Sequence, residues 1–156
     1  MMLAYKLVRL IETHSDTLAA TLLEKVRNSE LTRSYHKVAP QDLKDRTGEI
    51  YSHLGEWLLG KSSFDIERHY EEIGARRLHQ GVPVCELIWA IILTKENLWE
   101  FLQKESLPER PAEVFGELEL LQLFDQFFDR AIYCATVGYE KALAAKQEQS
   151  ANPAAP

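Results

Sequence analysis

Cysteine, proline and glycine are all scarce: two Cys, six Pro and seven Gly in 156 residues. The two thiols, Cys85 and Cys134, each sit within an apolar helical pattern. They read as small buried hydrophobes and exclude a disulfide scaffold. With so few glycines and prolines a fold of many short strands is excluded, and the long uninterrupted segments rich in Leu, Glu, Ala and Lys predict helices. Basic runs are also missing, and the net charge is −6. Both argue against a nucleic-acid surface, which needs a basic footprint. The most apolar run, Val82–Leu93, is broken by Glu86 and is too short to span a bilayer. The opening MMLAYKLVRLIETHSD has no apolar core and cleavage site of a signal peptide. The expectation is a cytoplasmic protein with neither nucleic-acid nor membrane partners.

Catalytic and metal motifs are equally absent. The chain has no Glu-x-x-His, as a paired-carboxylate di-metal bundle requires, no Cys-x-x-Cys and no His-Glu-x-x-His. Glu49 and His53 stand one helical turn apart, a pairing better explained by a solvated helix face than by a metal. None of His14, His36, His53, His69 and His79 has the context of a haem ligand. No Ser or Cys pairs with a His at a spacing that serves nucleophilic catalysis. The expected protein is therefore not an enzyme and carries no cofactor.

What is present is apolar periodicity, in a chain 46% hydrophobic and 27% charged. Leu3, Leu7, Leu10, Ile11, Leu18, Leu22 and Val26 follow helical spacing, and Ser15-Asp16 divides Leu3–Arg27 into one kinked helix or two. His14 falls on the apolar stripe, as a core or interface histidine. Asn28–Ala39 reads as a connector, and Pro40 opens a helix carrying Leu43, Ile50, Leu54, Trp57 and Leu58, ended by Gly60 and Lys61-Ser62-Ser63. The stretch His69–Leu102 is the expected framework. It holds a helix from about Phe64 to Gln80, a corner at Gly81-Val82-Pro83, and an apolar helix Pro83–Lys104 with Trp89 and Trp99. After a Pro-containing loop at Ser106–Pro111, a last and longest helix runs from about Ala112 to Ala145, with Val114, Leu121, Phe124, Phe128 and Ile132 on one stripe and Leu120 to its side. Residues 1–145 form one all-α domain of five or six helices, globin-like or an irregular bundle. Lys146–Pro156 is expected to be a disordered tail.

Four charges fall where apolar side chains belong. Arg77, Lys95 and Asp125 project onto the core stripes of three helices, with Asp129 one turn beyond Asp125. A lone buried charge costs several kcal/mol, so the expectation is that these four satisfy one another. They form a buried salt-bridge cluster, or carry their charges outward on long stems, or, with Trp57, make the polar lining of a pocket. The second stripe of the Pro83–Lys104 helix, Cys85, Trp89, Ile92 and Trp99, is either core or the interface of a homodimer.

The stretch Glu71–Leu102 resembles the N-terminal sensor domain of the RsbRD type, in the RsbT co-antagonist family. The residues that carry the likeness are Gly74, Arg76, Arg77, Gly81, Pro83, Leu87, Leu98, Trp99 and Phe101, continued by FDQFFDRA (Phe124–Ala131) and GYE (Gly138–Glu140). The resemblance implies a non-haem, globin-like stressosome sensor that receives an unidentified small-molecule signal, dimerises and meets a regulatory protein partner. Such domains usually precede an output module such as an STAS domain, and the expectation is either a free-standing sensor or a fragment of a longer protein. The expected mechanism is a small packing change between the Pro83–Lys104 helix and the last helix, passed along the latter. The competing expectation is a carrier of an apolar small molecule, of fatty-acid or haem type, in a cavity touching Trp57, Trp89 or Lys95.

Overall fold

A computed structural model describes residues 2–60, 64–105 and 111–151, with side chains at 5–60, 66–105, 118 and 121–151. The side chains of Leu3, Val114 and Leu120, together with Lys61-Ser62-Ser63, most of the Ser106–Pro111 loop and residues 152–156, lie outside what is described. The fold is all-α. Its elements are α1 (Met2–Thr13), α2 (Ser15–Asn28), a 3-10 helix (Glu30–Lys37), α3 (Pro40–Leu58), α4 (Phe64–His79), α5 (Val84–Glu105) and α6 (Pro111–Ala151). Seven helices among the described residues replace the expected five or six, for two reasons.

The first reason is His14. Its backbone turns to φ −110°, ψ 18° and separates α1 from α2. Its ring nitrogen Nδ1 lies 2.9 Å from the Leu10 carbonyl, and the ring packs 5.1 Å from Phe101. The second is the connector, which is helical in 3-10 form. Ser29 Oγ accepts from the Leu31 amide at 3.2 Å, and the Thr32 hydroxyl donates to the Val26 carbonyl at 2.6 Å, satisfying the last turn of α2. Three residues per turn place Thr32 and Tyr35 on one face, and both are buried.

The corner after α4 is set by Gly81, whose φ of +76° suits glycine alone. The Val82 amide reaches the Arg77 carbonyl and the Gly81 amide reaches that of Leu78, each at 3.0 Å, the hydrogen-bond pair of a Schellman ending. Val82 is then fully buried, and the Pro83 carbonyl accepts from Glu86 and Leu87 to start α5. Gly81→Ala leaves the contacts intact but forces a Cβ into the left-handed region. It is expected to cost about 1 kcal/mol in urea denaturation.

The core gathers Ile11, Leu18, Leu54, Tyr70, Leu87, Leu98, Phe124, Phe127, Phe128 and Ala135 from all six α-helices. A second cluster, with Leu22, Val26, Tyr35, Val38, Leu43, Val82 and Leu93, seals the 3-10 helix against α2, α3 and α5. Buried Asn97 of α5 ties three elements together, donating to the Leu18 carbonyl at 3.0 Å and to the Tyr51 hydroxyl at 3.1 Å.

The most extensive contact in the fold is not the expected α4–α5 hairpin but α4 against α6. Two glycines make it possible. A Cβ on Gly74 would drive into the Ala135 carbonyl and stand 2.8 Å from the Tyr139 amide. One on Gly138 would stand 2.6 Å from Glu71 Cα. Backbone therefore meets backbone at the crossing, and Tyr139 locks it further by donating to the Val82 carbonyl at 2.8 Å. Helix α6 continues six residues past the expected end at Ala145, to Ala151, and is exposed at every position from Leu143 onward.

Candidate functional site

Arg77 lies on the inner face of α4, one turn from Ile73, and its side chain is only 4% exposed. Its Nη1 donates to Asp42 Oδ2 at 3.2 Å and to Gln80 Oε1 at 2.6 Å. The guanidinium sits over the Tyr35 ring, 5.4 Å from its centroid, which steadies its plane. Asp42 stands in the first turn of α3, where the helix dipole already favours a carboxylate.

Asp42 serves three arginines. Arg46 Nε lies 3.5 Å and Arg76 Nη1 3.7 Å from its Oδ1, besides the bond from Arg77. Burial pushes the Asp42 carboxyl up, but Arg77, Gln80 and Arg46 together outweigh it and hold the group below its usual range. Arg46 also reaches Glu49 at 2.8 Å, and Glu49 in turn lies 3.3 Å from His69 Nε2. His69 packs 4.4 Å from His53, ring centre to ring centre. Burial and then His53 hold His69 below its ordinary value, against the opposing pull of Glu49. Glu49 and His53 thus join His69 in a cluster of an ion pair and two tilted rings, and among the described residues no three His, Cys, Asp or Glu side chains are placed to hold a metal ion.

Arg77 and Arg46 border a cleft of about 50 Å³ where α2, the 3-10 helix, α3, α4 and α5 converge. Leu22, Val26, Ile73, Leu87 and Ile91 supply apolar walls. Tyr35 also lines it, and burial pushes its phenol up to about 12, so it is neutral there. Asp42, Arg46 and Tyr35 are not among the residues the sequence singles out. The spacing Asp42–Arg46–Glu49 along one face of α3, beside Leu43, Thr47 and Ile50, is the signal that marks them.

The other sequence-predicted charges lie apart from this cleft. Arg77 pairs with Asp42 rather than with Asp125 or Asp129, because α4 turns this face toward α3 and the 3-10 helix. Lys95 pairs with Asp125 at 2.6 Å, and the two side chains are 30% and 54% exposed. Asp129 is exposed. A pair this open to solvent contributes little, so Lys95→Met and Asp125→Asn are each expected to shift unfolding free energy by less than about 1 kcal/mol in urea titrations.

Trp57 is half-buried near the α6 end of the core. Its Nε1 donates to the Leu123 carbonyl at 3.2 Å, and Arg130 lies over its ring at 5.1 Å. The cavity beside it, shared with Tyr70 and Cys134, encloses about 10 Å³. Of the four interface candidates, Cys85 is exposed, while Trp89, Ile92 and Trp99 are half-buried. Trp89 leans on the second core cluster, and Trp99 meets Phe124 edge-on at 6.3 Å.

Residues 16–152 match the family model described as the RsbT co-antagonist protein rsbRD N-terminal domain. No curated protein and no solved structure gives a significant match. No described helix is long and apolar enough to cross a membrane. The match spans all the helices from α2 to α6, including the Arg77 cleft and the Gly74–Gly138 crossing, and the chain belongs to the family of RsbT co-antagonist RsbRD N-terminal domains.

Proposed function

We propose that this domain is a non-enzymatic signal receiver that works through contacts with other proteins, as a homodimer in the cytoplasm. The observation that carries the reading is the family match, since the family is one of sensory and co-antagonist regulatory domains. Two features of the fold support it. Helix α6 is continuous from the buried Phe124–Ala135 segment to an exposed end at Ala151, so a shift in the core can reach a surface other proteins touch. The second stripe of α5 leaves Cys85, Trp89, Ile92 and Trp99 partly uncovered, as an apolar face able to meet a second copy. Asp125 and Lys95 join α5 to α6 beside that stripe, which is in keeping with a signal-dependent packing change at the α5–α6 contact.

The carrier reading finds less support. The cavity touching Trp57 holds about 10 Å³ and the larger cleft about 50 Å³. Benzene alone takes a cavity of roughly 150 Å³, and a haem or long acyl chain takes far more.

Sedimentation velocity across the micromolar range tests the dimer. The expected result is a two-chain species that Ile92→Asp converts to one chain with helical content unchanged. A wild-type protein that stays a single chain throughout that range overturns the dimer.

A further inference from the structure

We propose that His53 and His69 form an acid-sensitive latch between α3 and α4, and that protonation of the pair loosens this seam. The latch gives the sensory reading an input, the proton, and rests on that reading only for what the loosening is used for.

The seam differs from the α4–α6 crossing. There backbone meets backbone at Gly74 and Gly138, whereas α3 and α4 stand further apart and are joined by side chains. His53 of α3 and His69 of α4 bridge them, ring centres 4.4 Å apart and planes tilted by 54°. Tyr70 meets the His69 ring edge-on at 5.8 Å, and the His69 side chain is 16% exposed. His53 Nδ1 and His69 Nε2 are both buried and without a hydrogen-bond partner. A neutral imidazole tolerates that arrangement, since its idle nitrogen forfeits one hydrogen bond. An imidazolium does not, because both nitrogens are then donors and the charge is cut off from water.

The neighbouring charges do not compensate a proton there. Besides His53, those that act on His69 are Glu49 and Arg46 of α3 and Glu72 of its own helix. Glu49 lies 3.3 Å from His69 Nε2 but is already paired with Arg46 at 2.8 Å, and Glu72 is paired with Arg68 at 3.6 Å. Among the described residues no ion pair joins Glu56, one turn beyond His53 on α3, to either ring. The elements packed on α3 and α4 direct their charges elsewhere. Helices α1 and α2 turn Lys6, Arg9, Glu12, Asp16 and Glu24 to solvent, and α2 commits Lys25 to Glu100. Lys95 of α5 pairs with Asp125 of α6, while Arg130 and Lys141 of α6 reach Glu67 and Glu71 on the outer side of α4. A proton on each ring would set two cations 4.4 Å apart in this seam.

The sign with pH follows. Burial, and then His53, hold His69 below its ordinary value against the pull of Glu49. With the folded value below the unfolded one, the stability the pair contributes is complete above the unfolded value, about 6.5. It is lost as pH falls from there through the folded value.

Histidine ring NMR, urea titration and amide hydrogen exchange of the full chain, at fixed protein concentration from about pH 8 to about pH 5.5, test the latch. The His69 ring is expected to stay neutral to a lower pH than an unstructured histidine. The folding constant is expected to fall at least about threefold on acidification over that range. Exchange, corrected for its intrinsic pH dependence, is expected to lose more protection in α3 and α4 than in α5. His69→Gln is expected to remove most of the fall and His53→Gln to reduce it, whereas His79→Gln, at an exposed position, leaves it unchanged. A His69 ring that titrates at or above the unstructured value, a folding constant that holds or rises on acidification, or an undiminished fall in both latch variants overturns the latch. If one variant fails to fold, the other variant and the wild-type ring titration decide. Sedimentation of the same samples separates the two readings. No pH response in an intact two-chain particle overturns the latch alone, whereas the full response in a single chain supports the latch and overturns the dimer.

Discussion

Gly74→Ala is expected to lower the unfolding free energy by about 3 kcal/mol or more, although alanine is the better helix former. In an open helix position the change stabilises by roughly 0.5–1 kcal/mol. At Gly74 the added methyl drives into the Ala135 carbonyl and stands 2.8 Å from the Tyr139 amide. Those neighbours are helix backbone and cannot rotate aside, so α4 and α6 must separate. Overpacking of this kind costs about 1–3 kcal/mol where side chains can yield, and more where backbone must move. At roughly 2–4 °C per kcal/mol for a domain of this size, melting is expected to fall by about 10 °C. Gly138→Ala, against Glu71 backbone, is expected to match it. The double variant is expected to cost less than the sum, because one separation relieves both clashes. Gly48→Ala is the control. It lies in α3 with nothing within 4 Å of its built Cβ, and should raise stability slightly in the same urea titrations.

Asp42→Ala is expected to cost about 3 kcal/mol, and Arg77→Met far less. Removing Asp42 leaves the Arg77 guanidinium buried with only Gln80 and the Tyr35 face, an uncompensated charge of the kind that costs about 3–5 kcal/mol when a buried pair is broken. Removing Arg77 leaves Asp42 beside Arg46 and Arg76, and the methionine fills apolar space. Equal losses in the two variants contradict this asymmetry. The sign with pH follows from the depressed carboxyl of Asp42. Its folded value lies below its unfolded one, so its contribution is complete above the unfolded value, near 3.9. That contribution is lost as pH falls through the folded value. The wild type is therefore expected to lose this increment only below about pH 4, and Asp42→Asn to show a flatter acid limb in stability against pH.

The helices were legible because each carries its own period and punctuation. Pro40 does open α3, Gly81 does adopt positive φ, and Pro83 does stand at the head of α5. The 3-10 helix was not legible, since Glu30–Lys37 buries only Thr32 and Tyr35 and so presents no 3.6-residue stripe. The apolar periodicity of α6 stops at Ala145, and so the sequence predicts its end there. Lys146, Gln147, Glu148 and Gln149 are nonetheless good helix formers, and the helix continues to Ala151.

The site divides in the same way. A helical projection identified Arg77 as facing the core, and it does. Projection names a face and not the helix opposite, so it could not select Asp42 over Asp125. Lys95 and Asp125 do meet, but nearer the surface than their stripe positions imply. The glycine crossing had a visible trace, since Gly74 and Gly138 are isolated glycines inside helical patterns, a pattern that costs stability unless close packing requires it.

Native mass spectrometry of the protein isolated from its host tests the regulatory reading most directly, because it reports subunit count and bound mass together. The expected result is particles of two chains with no added mass of the size of haem or a long acyl chain. Single chains carrying one such molecule each would contradict it and establish a carrier instead.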